Sequence, residues 1–374
     1  MAGLVDGLYL VPEGYDEMGM VDNLRVFIRK LRAAKGVNYY TIFTTTDCNA
    51  HCFYCFQSVL SRASMSASTA SRIVEYMVEH KGEGPLRLIW FGGEPLVGVS
   101  RIDQICRELS ERGVEYLSAM MSNGYLFDEE MVRRAVDVWH LKSIQIPLDG
   151  TEDVYNTAKA YTSHSGSPYR RVRNNIALLV NAGVHVNILL NLDQHNEDDL
   201  EELVGDLADE FVGRSNVSVN VHVLFEDKGF APLARDEDVR ERLYRHQASL
   251  NERIFEKGLS VAYRSLPHLE CYCCKADRSD STVIYPDGSL YKCEHVADGD
   301  AYGSIFDGVT DASKISKFET TMSWDRCATC PLYPQCYILK ECDEVCDVNE
   351  IVCDYHVRMR TLAVADYYEK KVKH

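Results

Sequence analysis

Three cysteines crowd one short segment of this chain. Cys48, Cys52 and Cys55 stand in "TTTDCNAHCFYCFQ", with three residues and then two between them. Metal sites made by protein alone usually supply four ligands, so three thiols on one loop leave a corner unaccounted for. A 4Fe–4S cluster has four iron corners, each commonly held by a Cys thiolate. With three cysteines one iron stays open, and an open coordination position takes a substrate-like ligand, as it does in catalytic zinc sites. The close spacing lets a single loop wrap one cluster, and Tyr54, directly before Cys55, is placed to cover it or a nearby ring. The competing reading is a zinc loop with its fourth ligand elsewhere, for which His51 inside the motif is a candidate.

The elements that must hold this loop are legible as alternation. From about Tyr39 to Phe225, short β-branched or apolar runs are followed by helical patterns. The runs cover 39–44, 86–91, 115–121, 143–148, 184–192 and 217–225. Helices are predicted over Ser68–His80, Val99–Arg112, Asp128–Val138, Tyr169–Ala182 and Glu197–Phe211. Strand–helix repeated builds an α/β fold with a parallel sheet and its helices outside. Six strands fit an open twisted sheet or a partial barrel, and in both the ligand site lies at the C-terminal strand ends.

Four motifs sit at those ends. The cysteines follow the first run, Gly92-Gly93-Glu94-Pro95 the second, Ser122-Asn123-Gly124 the third, and Leu148-Asp149-Gly150 closes the fourth. Glycines let a ligand approach backbone, and Glu94 offers a carboxylate to an ammonium group. Neither has an obvious use in a structural zinc loop.

Taken together, Cys-x3-Cys-x2-Cys after strand 1, an aromatic before the last Cys, and GGEP after strand 2 resemble the radical S-adenosylmethionine (SAM) enzymes, over residues ~40–225. The resemblance implies a partial (β/α)6 barrel of TIM type. It also implies a cluster whose open iron chelates the amino and carboxylate groups of SAM's methionine portion. One electron then breaks a C–S bond, and the resulting 5′-deoxyadenosyl radical takes a hydrogen atom from an unreactive C–H bond. Carried over, Cys48, Cys52 and Cys55 ligate the cluster; Gly92, Gly93 and Glu94 meet the SAM amino group; Ser122 and Asn123 line its pocket. Related maturases often have Ser-x-Asp-Gly at the end of strand 4, with an arginine ten residues after the Asp, near the SAM carboxylate. Here those positions are Pro147 and Lys159; lysine keeps the charge and loses the fork. Asn187 or Asn191 on strand 5 is in line for the ribose, though each is otherwise an ordinary polar strand residue.

Residues 226–268 form a connection with one long helix, about Asp236–Lys257. The alternation then stops. "STVIYPDGSLYKC" reads as a hairpin turning at Asp287-Gly288, and cysteines dominate to Cys353. This C-terminal unit, 269–374, shows no apolar core of its own, so metal is expected to hold it together. Its cysteines run Cys271, Cys273, Cys274, Cys293, Cys327, Cys330, Cys336, Cys342, Cys346 and Cys353. A Cys-x2-Cys pair suits zinc too, but the pattern is similar to the SPASM extension of radical SAM enzymes, which holds two auxiliary 4Fe–4S clusters. The resemblance implies one cluster on Cys274, Cys293 and Cys342 with Cys271 or Cys273, and another on Cys327, Cys330, Cys336 and Cys353. Cys346 replaces Cys342 or Cys353, or stays free. These ten cysteines exceed eight sites by two, either as spare thiols or around an open auxiliary iron that binds a substrate thiol.

The totals agree with a soluble enzyme. The chain has 374 residues, 46% apolar and 26% charged, with a formal net charge of −17. Such a surface repels phosphate backbones, so nucleic acid is not an expected partner. No apolar run approaches the ~20 residues of a membrane helix, and residues 1–38, with a possible strand and a helix over Asp22–Ala34, lack a secretory signal. A cytoplasmic location is expected. In that compartment clustered cysteines are metal ligands more often than disulfides. Of the fourteen cysteines only Cys106 stands outside the two clusters, as a core filler in a helical pattern.

SPASM proteins mostly modify peptides or proteins. The implied partners are a peptide or protein substrate, a flavodoxin- or ferredoxin-type electron donor, and a separate leader-binding protein or a strand edge that binds the leader. The segment from Leu148 to Ile188 most resembles the peptide-maturase branch, which installs thioether or carbon–carbon crosslinks. The alternatives are an anaerobic sulfatase-type maturase that forms formylglycine, and a non-catalytic zinc or iron–sulfur scaffold.

Overall fold

The computed structural model describes residues 36–224, 237–261, 275–295 and 299–319, with scattered positions nearer both termini. Six parallel strands form in chain order: β1 Tyr39–Phe43, β2 Leu86–Phe91, β3 Tyr116–Met121, β4 Leu141–Pro147, β5 His185–Leu192 and β6 Val217–Val223. Between them run α1 Ala67–His80, α2 Val99–Glu111, α3 Glu129–Asp137, α4 Glu152–Lys159, α5 Pro168–Asn181 and α6 Glu197–Phe211, and α7 Glu237–Glu256 follows β6. The predicted runs and these elements agree within a residue or two at most ends, where helices and strands fray. Among the described residues no helix is long and apolar enough to cross a membrane.

Period-2 alternation explains the layering. Leu88, Trp90, Met120, Ile144, Ile146, Val186, Ile188 and Leu190 are buried and share one continuous core with Ile73, Ile105, Ile176 and Leu203 of the helices. Their alternates, among them Ser143, Gln145, Asn187, Asn191, Ser218 and Asn220, occupy the other face. Helices on one face and polar residues on the other is the pattern of a sheet that curls around a ligand space.

Two features depart from the sequence reading. The hairpin β7 Ser281–Ile284 and β8 Ser289–Tyr291 joins the parallel sheet. β7 pairs in parallel with β1, Tyr39 against Ser281 through Ile42 against Ile284. The short strands β9 Gly303–Ser304 and β10 Gly308–Val309 then complete a ten-stranded sheet in the order β10-β9-β8-β7-β1-β2-β3-β4-β5-β6. Ile284, Leu290, Tyr302 and Ile305 join the main core, so this part draws on the barrel for its apolar support. β1 has two edges, and β2 satisfies only one; β7 takes the hydrogen-bonding groups of the other. The second departure is α4, absent from the sequence reading. Glu152 and Asp153 occupy its first turn, where acidic side chains complement the helix dipole, but eight residues are too few for periodicity to announce it.

Cys106 behaves as the filler its pattern predicts. It is buried in α2, and burial pushes its thiol up to about 12. Because the thiolate is the reactive form, Cys106 should resist iodoacetamide in the native protein and be labelled only after unfolding, as read by mass spectrometry of tryptic fragments.

Candidate active site

The cysteine loop leaves the C-terminal end of β1 and is pinned at both margins. Thr44 N–H donates to the Phe91 carbonyl at 3.3 Å, and Thr46 N–H to the Ala63 carbonyl at 2.8 Å. Cys48, Cys52 and Cys55 are half-buried and close enough to influence one another's ionisation. Burial pushes the Cys48 thiol up to about 12, with Glu94 adding to the rise. Burial also raises Cys52 and Cys55, which Lys159 pulls back in part. A metal ion that binds here must displace these protons.

The GGEP turn folds directly onto this loop. Gly93 N–H donates to the Thr45 carbonyl at 3.0 Å and Glu94 N–H to the Asp47 carbonyl at 2.9 Å. A Cβ on Gly93 would collide with the carbonyls of Thr46 and Asp47, and one on Gly92, at φ +144°, with that of Thr45. Both glycines therefore allow close approach of the cysteine loop's own backbone. Gly93→Ala should cost about 1–3 kcal/mol through overpacking, measured by urea denaturation of the metal-free protein.

Glu94 is completely buried and ties the ends of β2 and β3 together. Its Oε1 accepts from Ser122 Oγ at 2.9 Å and Leu96 N–H at 3.1 Å; its Oε2 accepts from Asn123 N–H at 2.8 Å. Burial raises its carboxyl to about 7, against the lowering effect of these donors. A carboxylate offers about four acceptor positions, so three protein donors leave capacity for one more. Asn123 also reaches the cysteine loop, donating through Nδ2 to Asn49 Oδ1 at 2.7 Å and lying 3.9 Å from Cys48 Sγ.

A second polar group closes the other side. Tyr54 donates to Asp149 Oδ2 at 2.7 Å and accepts from Lys159 Nζ at 2.6 Å and Asn191 Nδ2 at 3.1 Å. Lys159 Nζ lies 2.9 Å from Asp149 Oδ2, and Asn191 Nδ2 donates to Asp149 Oδ1 at 2.8 Å. Asp149 carries no role of its own in the sequence, although it stands in the Leu148-Asp149-Gly150 motif ten residues before Lys159. Burial alone would lower the Lys159 ammonium's pKa, but Asp149, Cys52 and Tyr54 together hold it well above the ordinary lysine value.

The two strand-5 candidates separate. Asn191 belongs to this group, but Asn187 lies four residues earlier, roughly 13 Å back along the strand. There it donates to Gln145 Oε1 at 3.0 Å and accepts from Ser218 Oγ at 3.2 Å and from Asn220. Of the C-terminal cysteines, Cys293 lies within the described residues. It is buried after β8 among Phe43, Phe91, Tyr285 and Tyr291, and the His295 ring packs 4.3 Å from Phe56, in the turn that follows Cys55. Cys271, Cys273, Cys274, Cys327, Cys330, Cys336, Cys342, Cys346 and Cys353 lie outside the described residues.

The donor set suits an iron–sulfur cluster: three soft thiols on one loop, with no fourth side chain in the motif except exposed His51. Buried Asn49 Nδ2 and Gln57 Oε1, which flank the thiols, have no hydrogen-bond partner among the described residues. Buried polar atoms normally find partners, and these two fit a loop whose centre is filled by a bound group.

Residues 42–207 match the family model described as the Radical SAM superfamily. They are a radical SAM domain. Solved structures share the fold more widely. Native anSMEcpe with bound AdoMet has a TM-score of 0.68 at 16% identity, covering 88% of this chain and 98% of that one. Streptococcus suis SuiB bound to S-adenosylmethionine has a TM-score of 0.59 at 15% identity, covering 89% of this chain and 80% of that one. No curated protein sequence is a significant match. Within the radical SAM domain, the motif residues Cys48–Cys55, Gly92–Glu94 and Ser122–Asn123 converge at the C-terminal ends of the first three strands.

Proposed function

We propose that this radical SAM enzyme modifies a peptide, maturing a ribosomally made precursor by crosslink, thioether or other C–H chemistry. The observation that carries the reading is the joint one: a three-thiol loop locked to GGEP, on a fold whose likeness extends far beyond the radical SAM domain. That likeness includes anSMEcpe with bound AdoMet and Kp18Cys peptide, and SuiB bound to precursor peptide SuiA. Cys48, Cys52 and Cys55 would hold the catalytic 4Fe–4S cluster. When bound, the cluster and SAM supply one-electron hydrogen abstraction from an unreactive C–H bond.

The chain's own contribution is to bind, orient and shield. The backbone of Gly92 and Gly93 with the remaining acceptor position of Glu94 would take the SAM amino group, and Ser122 and Asn123 would fix Glu94 for that contact. Asn191 would approach the ribose. Residues 269–374 would carry auxiliary clusters, with Cys293 in one of them, and a flavodoxin- or ferredoxin-type protein would deliver electrons.

Anaerobically reconstituted protein should turn brown and release 5′-deoxyadenosine and methionine from SAM under dithionite. Incubated with short Cys-containing peptides encoded beside its gene, it should give a linked product by tandem mass spectrometry. An aldehyde that reacts with hydrazide would instead identify a formylglycine-forming maturase. A colourless zinc protein inert toward SAM would overturn the enzyme reading.

A further inference from the structure

We propose that Lys159 is a positioning residue that braces the cysteine loop through Asp149 and Tyr54, and is not the counter-ion of the SAM carboxylate. The inference rests on the radical SAM reading of that loop. Its ground is how segment 159–162 meets the two intervals between the cysteines. The Cys48–Cys52 interval is held by main chain: His51 N–H donates to the Lys159 carbonyl at 2.9 Å, and Thr162 N–H to the Asn49 carbonyl at 3.0 Å. The Cys52–Cys55 interval is held by side chain, where Lys159 Nζ meets the Tyr54 hydroxyl at 2.6 Å. One short segment at the end of α4 thus fixes the spacing of all three thiols. Ala160, at φ +44°, makes the sharp turn that lets the Lys159 side chain and main chain both reach the loop.

Lys159 has little left to offer a ligand. It is 1% exposed. Of its three N–H donors, one serves Tyr54 and one Asp149 Oδ2, while the ammonium lies 5.2 Å and 5.8 Å from the Tyr54 and Tyr155 ring centroids. Asp149 is equally committed, with Asn191 on Oδ1 and Tyr54 and Lys159 on Oδ2. Drawing Lys159 away to a SAM carboxylate would strand Asp149 as a buried charge without its cation, which is strongly unfavourable.

The test compares wild type, Lys159→Met, Tyr54→Phe and the Cys48/Cys52/Cys55→Ala triple variant, all full-length and anaerobically reconstituted. Iron content, the SAM-free EPR signal of the reduced protein, loss of iron to EDTA, and SAM affinity by equilibrium dialysis are measured. The iron difference between wild type and the triple variant defines the catalytic cluster. In Lys159→Met that cluster should be lost to EDTA about 10-fold faster or more, the usual effect of removing an outer-shell partner, with an altered EPR signal before SAM is added. Tyr54→Phe, which removes one hydroxyl and keeps the ring, should move both readouts the same way, so the test survives misfolding of Lys159→Met. Unchanged cluster retention and EPR in both variants overturn the proposal, whether or not Lys159→Met weakens SAM binding. Equal iron in wild type and the triple variant would instead sink the radical SAM reading beneath it.

Discussion

Replacing Cys48, Cys52 and Cys55 together by alanine is expected to abolish 5′-deoxyadenosine formation. The three thiols share one loop and flank buried polar atoms that lack partners among the described residues. No other cysteine of the radical SAM domain stands near them, since Cys106 is sealed in α2. Ligands that act as a unit are not additive, so any one of the three should cost nearly as much as all. The C-terminal cysteines are untouched by these substitutions, so under the proposed auxiliary-cluster reading the triple variant should still bind iron through them. The loop is held by backbone bonds from Thr44, Thr46 and His51, so the fold should persist, as circular dichroism would show. Deoxyadenosine above the protein-free background would place the catalytic cluster elsewhere.

Glu94→Ala is expected to have the largest effect on stability of any single site substitution. It strips the partner from Ser122 Oγ, Leu96 N–H and Asn123 N–H at once, in a place with no solvent access. A buried donor left unsatisfied costs about 1–3 kcal/mol, and three of them make the loss comparable with much of a domain's margin. Urea denaturation of the metal-free protein should show it. The same residue predicts a pH dependence. Its carboxyl sits at about 7 in the folded protein against 4.5 as its reference, burial being the cause. The folded state therefore binds the proton more tightly, and this group's contribution to stability is fully present below pH ~4.5 and declines as pH rises toward ~7. The window corresponds to on the order of 3 kcal/mol at 1.36 kcal/mol per pKa unit. Glu94→Gln, which cannot ionise, should lack this decline. If wild type and Glu94→Gln lose stability in parallel between pH 5 and pH 8, the carboxyl is not the source.

How far the site could be read in advance differs from residue to residue. Cys48, Cys52 and Cys55, Glu94, Ser122 and Asn123 were all placed by one local rule: motifs at the ends of successive parallel strands share a rim. That rule needs only strand boundaries, which period-2 runs mark well. Asn187 and Asn191 show its limit. Both lie on the same face of β5, but Asn191 stands at its C-terminal end beside the rim, while Asn187, paired with Gln145, lies well below it. Gly92 and Gly93 are legible as sites of close backbone approach, and the fold adds the cysteine loop as one neighbour that requires them.

The amino-acid order by itself determined the alternating α/β architecture, the three-thiol loop and its rim neighbours, because side-chain periodicity and residue chemistry are local properties. Tertiary structure alone decided that β7 pairs with β1 across more than two hundred residues of chain, that Asp149 neutralises Lys159, and that the end of α4 hydrogen-bonds the cysteine loop. Those outcomes depend on which hydrogen-bonding edges and buried charges remain unsatisfied once the strands have assembled. That inventory exists only after the chain has folded.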